Sequence, residues 1–486
     1  MIELDLAYKK QIYDENEHRI ELQEKLYHYY NGDETEILKY LDTALGKSFK
    51  ARDIAEFQKD YLNITKKLIQ EISVVYIEPP ERWIVDKSGN TNEDLTKYLD
   101  SVLTGRLNSK DKKIHRYGKL FNTALMEVFF NKVTKKIDFR IDSPHLFTVI
   151  PHEDDYQRIG TLLYDKYIGK ELFTIVWTDT EHYKLDQNGN KLAIGDNIEM
   201  INPYGIIPFA IYRTEEMQDF WGIGKHDIVN TNEIIDVFLT DLANGMIMST
   251  WGTPLYVNCD LSKKADTKDA TEQREVSIGP KHPIVIDNVQ TDMVPPRIEY
   301  ISHNDNTTVL IQYIDWRIKL LAANYGLDPN VFLQEAKATS GFSKVMDRIN
   351  QIEIRNDDIE PAREFEEERF EIIKRVNNYW VDEIEDGKKI DEKLKLKVDF
   401  AEINIPKTED EIWKSREEQE KRYMATPVDW LKEDNPDLTD EEAKQILQDN
   451  KEIMDSTVKA EPKTNFQRLL ETQNNQVAQT NIGVTP

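Results

Sequence analysis

The sequence predicts an α+β chain that is mainly helical, and three observations carry that expectation. Apolar residues recur at spacings of three and four over long stretches near the start, in the middle and towards the end of the 486 residues. One contiguous block, residues 132 to 213, switches to alternating apolar and polar positions. Two helical patterns of similar character then bracket a short run of strand-like segments between residues 255 and 301. At roughly 150 residues per domain, the length corresponds to about three structural units.

In chain order, residues 2 to 30 read as a charged, solvated and peripheral helix stopped by Asn31-Gly32-Asp33, and helical patterning resumes from 53 to 76. Glu78-Pro79-Pro80 ends it, because the residue before a proline is pushed out of the α region. Helices are expected over 93 to 107 and 110 to 130, followed by the β-rich block, in which Asn188-Gly189 suits a two-residue hairpin turn with positive φ at both positions. Residues 225 to 251 form the next helix, with Ile235, Phe238, Leu239, Leu242 and Met246 on one face. Short strands with a polar insert and Pro295-Pro296 come next. A second amphipathic helix spans 305 to 325, with Ile311, Ile314, Ile318 and Leu321 on its buried stripe. A loop from Gly326 to Gly341 leads into a very long helical pattern, 342 to 380, which Pro361 should kink by removing a backbone donor and clashing with the preceding turn. A strand near LKLKVDF follows. Thr408 with Glu411, and Thr439 with Glu442, have the spacing of capping boxes. The polar tail, residues 456 to 486, is expected to be disordered.

Charge and composition exclude several classes of function. Lys and Arg total 63 against 90 Asp and Glu, a formal charge of −27 that repels free nucleic acid and anionic membranes. The single cysteine, Cys259, forms no intrachain disulfide and has no motif around it. The first residues lack the apolar core of a signal peptide, and no window approaches the roughly 18 apolar residues of a membrane span. A soluble protein is expected.

Catalytic constellations are weak throughout. The run from Gly222 to Lys225 lacks the first glycine of a phosphate loop, and His226 stands where a Ser or Thr would hold the metal, so a helix-opening turn is the better reading. His152, Glu153, Asp154 and Asp155 have the chemistry of metal ligands but no spaced partners, which favours a solvated loop after Pro151. The acidic stretch from Asp357 to Glu371 reads as a solvated face of the long helix. Neither catalytic residues nor a metal or other cofactor is assigned. The alternatives left open are a metal-dependent phage nuclease built on His152 and a helical scaffold protein that forms no ring.

The order of parts resembles the portal, or head-to-tail connector, proteins of tailed bacteriophages. The segment IIPFAIYR followed by WGIGKHDIVNTNEIIDVFLTDLANGMIMSTWGTPLYVN is similar to the family's passage from wing to first stem helix, with Pro208, Asn232, Ile235-Asp236 and Leu255 to Val257 in the matching places. LAANYGLDPNVFLQEAKATSGFSKVMDR resembles the end of the second stem helix, the tunnel loop and the start of the long wing helix. There Gly326, Pro329, Ser340 and Gly341 match as loop-shaping residues. The segment from KVDFAEINIP to EEAKQIL resembles the family's strand and crown helices.

The resemblance implies N-terminal helices and a wing (1–224), a first stem helix (225–252), a clip (253–304), a second stem helix (305–325), a tunnel loop (326–341), a long kinked helix with a wing strand (342–405), a helical crown (406–455) and the tail. It implies a non-enzymatic subunit of a twelve-membered homo-oligomeric ring in the virion, at one capsid vertex and assembled in the host cytoplasm. The ring would seed procapsid assembly, conduct DNA during packaging and ejection, and dock the terminase large subunit and then adaptor, head-completion and tail proteins. Further implied partners are the major capsid protein and the scaffolding protein; no membrane is involved. Val331, Phe332 and Leu333 would line the narrowest part of the channel, with Lys337 meeting phosphates. Twelve copies at −27 each would carry several hundred negative charges, so double-stranded DNA would be held weakly and without sequence preference.

Overall fold

The computed structural model describes residues 6–257, 284–286, 295, 297–301, 307–327, 341–400, 409–435 and 438–458. The chain divides into two compact units, Met1–Ile403 and Asn404–Pro486. Helices predominate over small sheets, the α+β arrangement that the periodicity predicts.

In the larger unit, α1 (Leu6–Asn31), α2 (Glu34–Leu45), α3 (Ala51–Glu56) and α4 (Ile64–Ile72) come first. The first helix is not peripheral along its whole length: Leu26 and Tyr29 are completely or almost completely buried in the main core. The expected helix over 53 to 76 is two helices with an irregular segment between them. Strand β1 (Glu81–Val85), which no sequence signal predicted, pairs antiparallel with β13 (Lys395–Asp399) from the far end of the unit. Next come α5 (Glu93–Val102) and α6 (Leu107–Phe121).

α6 ends at Asn122, whose φ of 65° turns the chain into β2 (Thr123–Asn131). The expected helix to residue 130 is therefore corrected. β2 lies in a three-stranded sheet between β3 (Lys136–Arg140) and β9 (Phe209–Arg213). Both of its faces are covered: Ala124, Met126, Val128, Ala210 and Tyr212 point into the main core, whereas Leu125, Phe209 and Ile211 point into a second one. A strand buried on both sides reads as an unbroken apolar run, which periodicity cannot separate from a buried helix.

The second core is closed by a five-stranded antiparallel meander in the order β4 (Phe147–Pro151), β5 (Ile159–Ile168), β6 (Glu171–Thr178), β7 (His182–Leu185), β8 (Lys191–Leu192). The turn between β7 and β8 is not the expected pair of positive-φ residues, since of Asn188 and Gly189 only the glycine has positive φ. Asp186 shapes it instead: its carboxylate accepts from the backbone N–H of Asn188 and Asn190, both at 2.8 Å. The loop after β1 repeats this arrangement with Asp86, Ser88 and Asn90.

The unit continues with α7 (His226–Trp251), β10 (Thr253–Val257), β11 (Ile284–Ile286), β12 (Arg297–Ile301), α8 (Thr307–Asn324) and the 40-residue α9 (Gly341–Trp380). Pro361 lies inside α9, which is assigned as one helix across it.

The smaller unit contains α10 (Glu409–Lys421), α11 (Pro427–Asp434) and α12 (Asp440–Val458). The Thr439/Glu442 capping box forms: Thr439 N–H donates to the Glu442 carboxylate at 2.9 Å, and Glu442 N–H reaches the threonine hydroxyl at 3.4 Å. Thr426 and Asp429 build a second box that opens α11. Thr408 lies outside the described residues.

Candidate functional site

The feature that organises the central part of the chain is a helical hairpin. α7 and α8 lie antiparallel in register from end to end. At one end the Tyr325 hydroxyl donates to the Asp227 carboxylate at 2.7 Å. Midway, the rings of Phe238 and Tyr313 meet edge to face with centroids 4.9 Å apart. At the other end Gly252, with φ of 62°, turns the chain so that Thr253 pairs with Ile301. A side chain there would be strained by that φ.

Of the predicted stripe on α7, Ile235 is fully buried, Phe238, Leu239 and Leu242 pack against the main core, and Met246 is exposed. On α8 the buried stripe is Ile314, Ile318, Leu321 and Ala322. Ile311, expected on that stripe, is exposed instead, because the part of α8 that the fold covers begins one turn later. Val309, Trp316 and Leu320, spaced seven and four residues apart, form a second apolar line that faces outwards; Trp316 is 52% exposed.

The strands between the two helices form a sheet in the order β11–β10–β12, with β10 parallel to β11 and antiparallel to β12. The central strand thus finds its partners within the chain. Every residue of β12 is exposed.

One set of residues in α7 escaped the sequence reading as a set. Asn232, Asp236, Thr240 and Asn244, four residues apart, hold the backbone of residues 58–65. Asn244 exchanges two hydrogen bonds of 3.0 Å with Gln58, accepting from its N–H and donating to its carbonyl. Thr240 Oγ1 accepts from Asp60 N–H at 3.1 Å and donates to its carbonyl at 3.2 Å. Asp236 accepts from Leu62 N–H at 2.9 Å, and Asn232 accepts from the N–H groups of both Ile64 and Thr65 at 3.0 Å. Asn232 also donates to the Leu62 carbonyl and to Asp236. The recurrence of a short polar residue at every fourth position from Asn232 to Asn244 was the available signal.

The acidic face of α9 is also corrected in part. Glu364 and Glu367 are exposed, but Asp358, Glu366 and Arg369 are buried. Arg369 meets Asp111 of α6 at 2.5 Å and also pairs with Glu366. Arg82 of β1 closes the cluster, reaching Asp111 at 2.6 Å and Glu366 at 2.8 Å. Burial works to raise the Glu366 carboxyl, but Arg369 and Arg82 outweigh it and hold the group down at about 2. Asp358 receives Lys119 at 2.6 Å. Beside it His115, buried and pushed down to about 3 by desolvation and by Lys119 and Arg116, meets the Tyr212 hydroxyl at 2.7 Å.

The channel-loop residues Val331, Phe332, Leu333 and Lys337 lie outside the described residues, as do Pro329, Ser340 and Cys259. Gly326, two residues past the end of α8, has φ of 65°, and its N–H bonds to the Ala323 carbonyl, so it acts as the left-handed stop of that helix. Gly341 is the first residue of α9. The Gly222–Lys225 run is a turn that packs tightly: a Cβ at Gly224, whose φ is 83°, would come within 2.5 Å of Leu26. Lys225 pairs with Glu215 at 3.1 Å. His152 belongs to a turn in which its ring Nδ1 accepts from Asp154 N–H at 3.2 Å. Among the described residues, no group of three or more His, Cys, Asp or Glu could hold a metal ion, and no helix is long and apolar enough to cross a membrane.

No family model and no curated protein matches the chain. Among solved structures it is similar to a chain in the neck of an empty gene transfer agent particle, with 9% identity over 74% of this chain and 85% of that one and a TM-score of 0.35. It is also similar to a chain in the virion of a native gene transfer agent particle, at 9% identity over 74% and 84% with a TM-score of 0.33. Both scores lie below 0.5, too low to argue a shared fold.

Proposed function

We propose that the chain is a portal-like subunit that assembles with further copies into a ring and serves as a DNA conduit and docking platform of a phage-like particle. The observation that supports this reading best is the α7/α8 hairpin. A helical pair, registered from Asp227–Tyr325 to Thr253–Ile301, carries a small sheet at one end and a left-handed glycine stop, Gly326, at the other. That is the sequence of parts expected for stem, clip and tunnel loop. The outward line of Val309, Trp316 and Leu320 gives the stem an apolar surface of the kind that subunit contacts bury.

In this reading residues 253–304 form the clip that faces terminase and later the adaptor proteins. Residues 326–341 form the tunnel loop, with Val331, Phe332 and Leu333 as a nonspecific seal against DNA. Residues 406–455 form the crown. The walls repel DNA, which lets it slide. The motor would be a separate ATPase, the terminase.

Native mass spectrometry and electron microscopy of the purified protein test the ring. Annuli with a mass near twelve subunits are expected. Monomers or dimers alone, without annuli, at moderate salt would refute it. For the loop, serine at positions 331, 332 and 333 should leave the ring intact and impair genome retention; normal retention would remove that assignment.

A further inference from the structure

Residues 58–65 bind α7 through their backbone, and the match of periods explains why. Two residues of extended chain advance about 6.6 Å, and four residues of α-helix advance about 6.0 Å. Positions 58, 60, 62 and 64 therefore keep step with Asn244, Thr240, Asp236 and Asn232, and both partners of each rung are short polar groups. Gln58, Asp60 and Leu62 leave their side chains exposed, whereas between them Lys59 pairs with Asp42 and Tyr61 packs against the main core, which Ile64 enters.

We propose that residues 58–64 are a releasable strap, fastened to α7 by this backbone ladder and opening as one unit when the Asp236 rung is lost. The inference concerns the chain itself and does not depend on the ring. Cooperative opening follows from the geometry. Asn232 binds Leu62, Ile64, Thr65 and Asp236 together, so neither the Asp236 rung nor the Asn232 rung can leave without disturbing the other. The strap joins α1–α3 to α4, and its opening would expose the polar face of α7 while Lys25–Glu233 and the packing of Val237 against α2 still hold α7 to the N-terminal helices.

Charge makes the central rung sensitive to protons. Asp236 is buried, and the groups that face it are mostly acidic or phenolic: Glu233 on α7, Asp60 and Tyr61 on the strap, and Tyr29 on α1, whose hydroxyl has no hydrogen-bond partner among the described residues. Lys25 of α1 is engaged by Glu233 at 3.0 Å, while Glu34 and Tyr40 of α2 add to the acidic surroundings of Tyr61 and Tyr29. Burial raises the Asp236 carboxyl to about 7, against the hydrogen bonds from Leu62 and Asn232. A raised group in the closed state stabilises closure below its ordinary range, and that advantage is lost as pH rises towards 7. The strap should be tight at pH 5.5 and loose at pH 8.

Hydrogen exchange of the full-length protein, corrected for intrinsic amide rates, reads this at positions 58, 60, 62 and 64. Their protection should be similar to one another and fall together by about tenfold or more between pH 5.5 and 8, as the shift of Asp236 requires. Asp236→Asn should abolish the pH response, and Asn232→Ala should remove protection from all four positions at both pH values. If Asn232→Ala does not fold by near-UV circular dichroism, Thr240→Ala replaces it and should loosen positions 58 and 62 together. Protection graded from one end, a wild-type strap indifferent to pH, or a pH response that survives Asp236→Asn would overturn the proposal.

Discussion

Arg369 of α9 and Asp111 of α6, 258 residues apart in the chain, meet at 2.5 Å with both side chains out of contact with water. With Arg82 and Glu366 they form a closed square of two guanidinium and two carboxylate groups. The square ties β1, α6 and α9 together, and desolvated charges tolerate no missing corner. Arg369→Met should destabilise the protein by about 3–5 kcal/mol, because Asp111 and Glu366 are left buried with one cation between them. Denaturant unfolding checks this, and Asp111→Asn added to Arg369→Met should recover part of the loss. Full stability of the single variant would contradict the account.

The same square sets an acid limit. Glu366 is held at about 2, below its ordinary 4.5, so its stabilisation is complete above about pH 4.5 and lost as pH falls towards 2. Acid unfolding monitored by circular dichroism should show this loss in the wild type, and Glu366→Gln, less stable at pH 7, should lack that part of it.

Glu368 behaves in the opposite sense. Its carboxylate accepts from Ile211 N–H at 2.9 Å on β9, an outer strand of its sheet, and burial raises it to about 7 against the pull of Arg213 and Arg158. A raised carboxyl stabilises below its unfolded pKa and loses that contribution as pH climbs through 7. Glu368→Gln keeps an acceptor without the charge. The variant should therefore gain thermal stability relative to wild type at pH 8 and lose that advantage at pH 5. An equal effect at both pH values would show that the charge is irrelevant.

Gly118 tests how closely α6 lies on β9. A Cβ there would stand 2.3 Å from the Tyr212 ring, and Tyr212 cannot retreat because it is fully buried and engaged by His115. Gly118→Ala should cost about 1–3 kcal/mol by overpacking, despite the better helix propensity of alanine. A neutral or stabilising outcome in thermal unfolding would mean that the contact relaxes freely.

What could be read from the sequence follows a physical division. α7, α8 and α9 were legible within one or two residues because each alternates buried and solvated faces at helical spacing. Strand β2 was not, since both its faces are buried and its apolar run carries no period. β1 was missed because its partner, β13, lies over 300 residues away. Glu366 and Arg369 looked like part of a solvated face because a one-dimensional charge pattern does not show Arg82 and Asp111 converging on them. At the candidate site, Asn232 and Asp236 stood out only through resemblance. Their use as rungs required seeing residues 58–65 beside them.

The outward face of α8 gives the most direct test of assembly. Val309, Trp316 and Leu320 are exposed while Ile314, Ile318 and Leu321 of the same helix are buried, so the two apolar lines can be changed separately. Placing charge on the outer line removes nothing from the core. Trp316→Glu with Leu320→Glu should leave the circular dichroism spectrum and melting temperature within a few degrees of wild type. If neighbouring copies bury that line, two carboxylates in each copy would have to be desolvated without partners, a cost of several kcal/mol per contact. The large assembly should then disappear from native mass spectra, leaving folded single subunits. Persistence of the ring in the double variant would place the subunit contacts on another surface of the hairpin, whereas loss of fold would show that Trp316 belongs to the core after all.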